Sequence, residues 1–274
     1  MSNYIPEEYD RVKEPDKGHR IFIWKTAIGL QQVDGLEPSE YLIKTAQSSI
    51  NGDISFSEAR ELINSYYESC PGRNDDRTEE ADKVSYRIAE ILAEKSFGFS
   101  LEQYLSIHKR LFEGLFRQAG RIRDYNITKE EWVLDGDTVT YGDARELRAM
   151  LKYDLKVEKE FSYEGLTSDQ RIIHIARFIA NLWQIHGFGE GNTRTTAVFL
   201  IKYLETLGYE VESDLFAKHS RYFRNALVRA NYTNAQKGIY ETTEYLELFL
   251  RNFLLNEHNE LRNRYLHISS DEDR

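Results

Sequence analysis

The 274-residue sequence has one cysteine, Cys70, so no disulfide can form within the chain. It has only four Pro and 16 Gly, which leaves few positions that would interrupt helices. An excess of basic charge is also missing. Lys plus Arg (36) minus Asp plus Glu (46) gives −10, which argues against a nucleic-acid partner unless a local basic patch exists. No apolar run approaches the ~18 residues of a membrane span, since the best stretch, Ala197 to Leu204, is interrupted by Lys202. The first residues lack the basic-then-apolar order of a secretory signal, and the expected location is cytoplasmic, with no membrane partner. What is present is 41% apolar, 13% aromatic and 30% charged residues, enough for a folded core and incompatible with a disordered or collagen-like chain.

Hydrophobic spacing is mostly helical. Ile21, Trp24, Ile28 and Val33 open a first helical run, stopped by Gly35 and Pro38. Tyr41, Leu42, Thr45 and Ala46 make a second, ending at Asn51-Gly52, and Ala59, Leu62, Ile63 and Tyr66 make a third after Ser55. These form a small N-terminal three-helix unit, preceded by about twenty polar residues without sustained period. The turn-rich, charged stretch Cys70 to Arg77 is the expected linker. Helical periodicity then returns through Val84–Leu92, Leu101–Leu111, Leu147–Leu155, Asp169–His186, Thr193–Leu207, Leu215–Asn231 and Ile239–Asn256. Between Gly120 and Tyr141 the pattern alternates in β fashion around Asp135-Gly136-Asp137, predicting one β-hairpin. The expected fold is mainly α with one hairpin. Its expected units are a helical one at 1–72, a main domain at 73–264 and a polar tail at 265–274.

The densest polar cluster runs from His186 to Thr196 between two apolar helical stretches, so it is a loop feeding a helix N-terminus. Such an end binds anions: the backbone N–H groups of Gly191, Asn192 and Thr193 would point at a phosphate, and Arg194 would add a charge-assisted contact. A dinucleotide fingerprint would need a strand before the loop, and a P-loop would need a Lys that is absent. His186 has an ordinary pKa near working pH and could take a proton from a hydroxyl nucleophile. Glu190 offers a hard oxygen ligand for Mg²⁺ bridging phosphates.

His186, Phe188, Glu190, Gly191, Asn192 and Arg194 agree in order and spacing with His-Pro-Phe-x-Asp/Glu-Gly-Asn-Gly-Arg, so the segment resembles the Fic motif. The resemblance extends from about Ser85 to Asn256 and implies a Fic-like helical bundle. Gly120 to Thr128 with the hairpin is similar to that family's flap, which docks a target segment by strand pairing, here through Ile127, Trp132, Val133 and Val139. The implied activity is transfer of AMP from ATP, with Mg²⁺, to a Ser, Thr or Tyr hydroxyl of a target protein. His186 would be the base, Glu190 the metal ligand, and Gly191, Asn192, Thr193 and Arg194 the anion hole; Tyr222, Phe223 and Asn231 would lie near the adenosine. A donor other than ATP, removal of AMP, or a weakly active target-binding protein are the alternatives, and a homo-oligomer is compatible with any of them.

Gly35-Leu36-Glu37-Pro38-Ser39 and Gly52-Asp53-Ile54 resemble the VbhA-type antitoxin that accompanies some Fic enzymes, which implies a regulatory role for Asp34 and Gly35. Three departures shape the expectations. Ala197 stands where the family has a second Arg, so a γ-phosphate clamp is missing and Arg221, Arg224 or Arg229 is the expected substitute. Without that Arg, Asp34 is expected to have no ion-pair partner. Thr193 in place of Gly is expected to put a side chain at the anion hole.

Overall fold

The structure is a computed structural model that describes residues 15–69, 77–211 and 213–269. The hydrophobic repeats become ten α-helices among these residues, and no strand forms. Helix α1 (Lys17–Gly29) starts where the Asp16 carboxylate accepts from the His19 N–H at 3.0 Å, four residues before the expected first apolar position. It buries Phe22, Ile23, Trp24 and Ala27, and a 3₁₀ turn over Leu30–Asp34 ends it. Helices α2 (Glu40–Asn51) and α3 (Phe56–Ser69) complete the expected three, capped by Ser39 and by the reciprocal Ser55–Glu58 pair. The expected linker, Cys70 to Arg77, falls outside the described residues except for Arg77 itself.

This N-terminal layer is built into the main core. Helix α1 packs against α4 (Thr78–Ala93) and α9 (Leu215–Arg229). Gly29 permits the approach to α9, because a Cβ there would stand 2.3 Å from the Ala217 Cα. Buried Asp82 on α4 receives the Ser39 backbone and hydroxyl groups and the Tyr67 hydroxyl, tying α2 and α3 to the same helix. The apolar residues of all these elements belong to one continuous core.

The centre is α7 (Ser168–Ile185) followed by α8 (Asn192–Thr206), with α5 (Leu101–Phe112) and α6 (Leu147–Glu160) packed beside them. Helix α7 opens on a Thr167–Gln170 capping box. Helix α8 is buried along nearly its whole length, as its apolar run implied. Helix α9 is kinked at His219, and α10 (Glu244–Leu255) starts later than its hydrophobic period suggested because Ile239 pairs with Asn234 in an isolated bridge. No helix among the described residues is long and apolar enough to cross a membrane.

The expected hairpin is corrected. Residues 120–141 form an irregular loop with a 3₁₀ turn at Trp132–Leu134 instead of paired strands. Val133 and Leu134 are consecutive and both fully buried, unlike the in-and-out alternation of a strand with one face in water. The two arms meet through side chains: the Thr138 hydroxyl receives the Thr128 hydroxyl at 3.1 Å and the Lys129 N–H at 3.2 Å, and one backbone bond joins Glu131 N–H to Asp137 O.

Candidate active site

Helix α7 ends at His186, which takes the left-handed conformation at φ 50°. That turn swings the chain from α7 toward the start of α8 and leaves the imidazole half-buried on the wall of a cleft of about 910 Å³. Its Nδ1 lies 3.2 Å from the Trp183 carbonyl, so Nδ1 carries the hydrogen and Nε2 keeps its lone pair. The ring packs against Tyr141 and edge-on to Trp183. Burial holds the imidazole neutral, with its pKa pushed down to about 3, and the nearby cations Lys129, Arg224 and Arg123 act in the same direction.

The loop between the helices is closed by Asn192, whose amide bonds both the N–H and the carbonyl of Phe188 at 3.0 and 2.8 Å. Gly191 precedes α8 at φ 74°, and a Cβ on it would stand 2.3 Å from the Phe112 ring. No other residue fits there. As the first helical residues, Asn192, Thr193 and Arg194 have N–H groups with no intrahelical acceptor, and Gly191, Asn192 and Thr193 line the cleft. One cleft therefore holds both an imidazole acceptor and an anion-seeking helix end.

Residues 98–204 match the Fic/DOC family. This stretch is a Fic/DOC family domain. The fold is also similar to the crystal structure of the N-terminal FIC domain of Bep8, a VirB-translocated effector protein from Bartonella sp. 1-1C. The two are 18% identical with a TM-score of 0.50, over 64% of this chain and 82% of that one. No curated protein matches the chain significantly.

Within the Fic domain, the cleft also receives Glu190, whose side chain is 62% exposed. Among the described residues no group of three or more His, Cys, Asp or Glu could hold a metal, and the hard oxygen donor on the cleft wall beside the α8 N-terminus is the Glu190 carboxylate. Thr193 corrects one expectation. Its hydroxyl accepts from the Trp183 indole N–H at 3.0 Å, so the side chain that replaces Gly is engaged with α7.

Arg194 corrects another. It is fully buried rather than presented to an anion. Its guanidinium lies over the Phe112 ring, with Nη2 2.9 Å from Asp34 and 2.7 Å from Glu80 and Nη1 3.1 Å from the Gln31 side chain. Asp34 was expected to lack an ion-pair partner and has Arg194; the 3₁₀ turn after α1 places its carboxylate at the start of α8. Asp34 and Gly35 both line the cleft.

Of the three substitute cations, Arg221 and Arg224 line the cleft, and Arg224 is paired with buried Glu131 at 2.8 Å. Arg229 is buried and is not part of the cleft wall. Tyr222 and Asn231 are not brought to the cleft either. Tyr222 is 1% exposed in the core, and the Asn231 amide donates to the Ala180 and Leu227 carbonyls. Asn225 and Asn263, joined at 2.8 Å, do line the cleft.

Among the flap residues, Ile127 and Trp132 line the cleft and Trp132 is 60% exposed beside His267, whereas Val133 and Val139 are buried and have no surface to offer a partner. Three groups that hold the site together were missed by sequence reasoning. Buried Arg123 donates to the carbonyls of His186 (2.8 Å), Tyr125 (2.6 Å) and Gly142 (2.7 Å), fastening both ends of the flap to the motif loop. Buried His108 accepts from the Gly120 N–H at Nδ1 and donates from Nε2 to the Glu190 carbonyl at 3.0 Å. Arg77 pairs with Glu80 and Glu190 on the cleft wall. Arg123 lay in the segment likened to a flap, without a role of its own, and Arg77 lay in the expected linker.

Proposed function

We propose that the chain is a Fic-type transferase that moves AMP from ATP to a Ser, Thr or Tyr hydroxyl of a target protein, regulated by its VbhA-like N-terminal helices. The observation that carries this reading is the shared cleft: His186 Nε2, free to accept a proton, stands in the same cavity as the N-terminus of α8. In the proposed reaction the target hydroxyl gives its proton to His186 Nε2 as its oxygen bonds to the α-phosphorus. The bond from that phosphorus to the bridging oxygen breaks, pyrophosphate leaves, and the imidazolium returns its proton to solvent. The N–H groups of Asn192 and Thr193 would meet the charge on the phosphoryl oxygens. Mg²⁺ held by Glu190 would offset phosphate charge when bound. Exposed Trp132 and half-buried Ile127 beside the cleft would receive the target segment.

The N-terminal helices would restrain this reaction through Asp34, a carboxylate on the wall where phosphate would enter. Ala197, fully buried, favours a second reading in which the donor is another phosphate-linked compound. The test is to offer α-labelled and γ-labelled ATP, then UTP, GTP and CDP-choline, to the full chain in a lysate. The reading expects label from α-labelled ATP, none from γ-labelled ATP, and loss of the signal in His186→Ala. His186-dependent label from another donor alone would favour the second reading, and absence of any such label would sink both.

A further inference from the structure

The missing second Arg leaves open which cation meets the outer phosphates of the donor. Ala197 is buried in α8, and Arg194 is fully enclosed by two carboxylates, an amide and a ring. Arg224 is committed to Glu131 beside Tyr141, toward the flap, and Arg221 is an exposed side chain on the cleft wall. Arg77 has a different setting. It stands at the N-cap of α4 in the left-handed region, φ 59°, without capping the helix by its side chain, a conformation that an L residue adopts at a cost. Its Nε and Nη2 hold Glu80 in a two-point grip at 2.8 Å each, and Glu80 is itself anchored by Arg194. The guanidinium is thereby fixed from behind. In front, Nη2 lies 3.3 Å from Glu190, and the side chain stays 47% exposed at the cleft wall.

Resting on the nucleotide-transfer reading above, we propose that Arg77 is the cation for the donor's β and γ phosphates and that Glu190 is its counter-ion only while the cleft is empty. The chemistry is an exchange of partners. Glu190 is mostly exposed and pairs with Arg77 at one long contact, whereas Glu80 is buried and doubly bonded to it. If Glu190 released Arg77, the guanidinium would keep its grip on Glu80 and would turn its remaining N–H donors to a polyphosphate beside the α8 N-terminus. The family's absent clamp is thus supplied from the start of α4, and the site reads how many phosphates a nucleotide carries.

The experiment is calorimetric titration of the full chain with AMP, ADP and ATP in magnesium-free buffer, for wild type, Arg77→Gln, Arg77→Lys, Glu190→Gln and the Arg77→Gln/Glu190→Gln pair. Arg77→Gln should weaken ATP and ADP binding about tenfold and leave AMP binding within twofold, and Arg77→Lys should keep part of the preference. Glu190→Gln should strengthen ADP binding, and that gain should vanish when Arg77 is also replaced, a coupling that general loss of fold would not produce. Equal weakening of AMP and ATP, or a Glu190→Gln gain that persists without Arg77, overturns the proposal. Wild-type chain that binds none of the three overturns the transfer reading with it, whereas tight, Arg77-independent ATP binding overturns this proposal alone.

Discussion

Asp34 and Arg194 meet at 2.9 Å, an acid from the turn after α1 against a base at the start of α8. The acid also faces the cleft, so it places negative charge where a phosphate would enter. Asp34→Ala should raise ATP affinity several-fold by removing that repulsion. Arg194 would keep Glu80 and Gln31, so the loss of stability should be about 1–3 kcal/mol rather than the larger penalty of stranding a buried charge. Nucleotide calorimetry and denaturant midpoints on the same preparation check both halves.

Arg123 reaches three carbonyls with short bonds because its guanidinium is a planar fork; a lysine has one donor centre. Arg123→Lys should therefore free at least one end of the flap. Amide hydrogen exchange should accelerate in residues 124–142, and transfer should fall by tenfold or more, with α7 and α8 exchange unchanged.

Trp183 and Thr193 make a paired deletion informative. Thr193→Val keeps the volume but leaves the buried indole N–H without its acceptor, which should cost about 1–3 kcal/mol. Thr193→Ser should retain most of the stability. Urea denaturation of the two variants would decide it, and equal stability would remove the claim that the hydroxyl serves Trp183.

Stability should fall on acidification, with His108 as a main source. Burial, with Arg194 nearby acting in the same direction, holds this imidazole down at about 4 from its ordinary 6.5. Between those values the unfolded chain binds a proton that the folded chain refuses, so stability present above pH 6.5 is lost as pH falls toward 4. From pH 7 to pH 5 that amounts to roughly 2 kcal/mol. His186, lowered for the same reason, adds to the slope. In His108→Gln, denaturant midpoints measured across this range should decline less steeply than in wild type.

Sequence pattern revealed α7, the motif loop and α8 because local rules govern them: apolar residues recur at helical spacing, and the cluster from His186 to Arg194 is contiguous. It also placed Asp34 and Gly35 at the end of the first helix. It failed where one residue's role depends on distant partners. Val133 looked like a strand position and is core, because a 3₁₀ turn presses it inward beside Leu134. Tyr222 sits on the inner side of α9, a matter of rotation about the helix axis that spacing alone left unfixed, and Asn231 falls past the helix end, where its amide closes onto the Ala180 and Leu227 carbonyls. Arg77 gave no periodic signal, since it is the cap of α4 beside its neighbour Glu80 and its place at the cleft comes from Glu190, more than a hundred residues away.

Gly29 lets two helices touch backbone to backbone, and this has a bearing on how Asp34 can ever be withdrawn. With Trp24 and Ile23 sealed in the interior and Ser220 hydrogen-bonded to the Gly29 carbonyl at 2.7 Å, α1 cannot detach like a separate inhibitor without tearing open the protein. Leu30, Gln31 and Val33 of the turn that carries Asp34 are buried as well, so the acid is held in place by the same interior that supports α8.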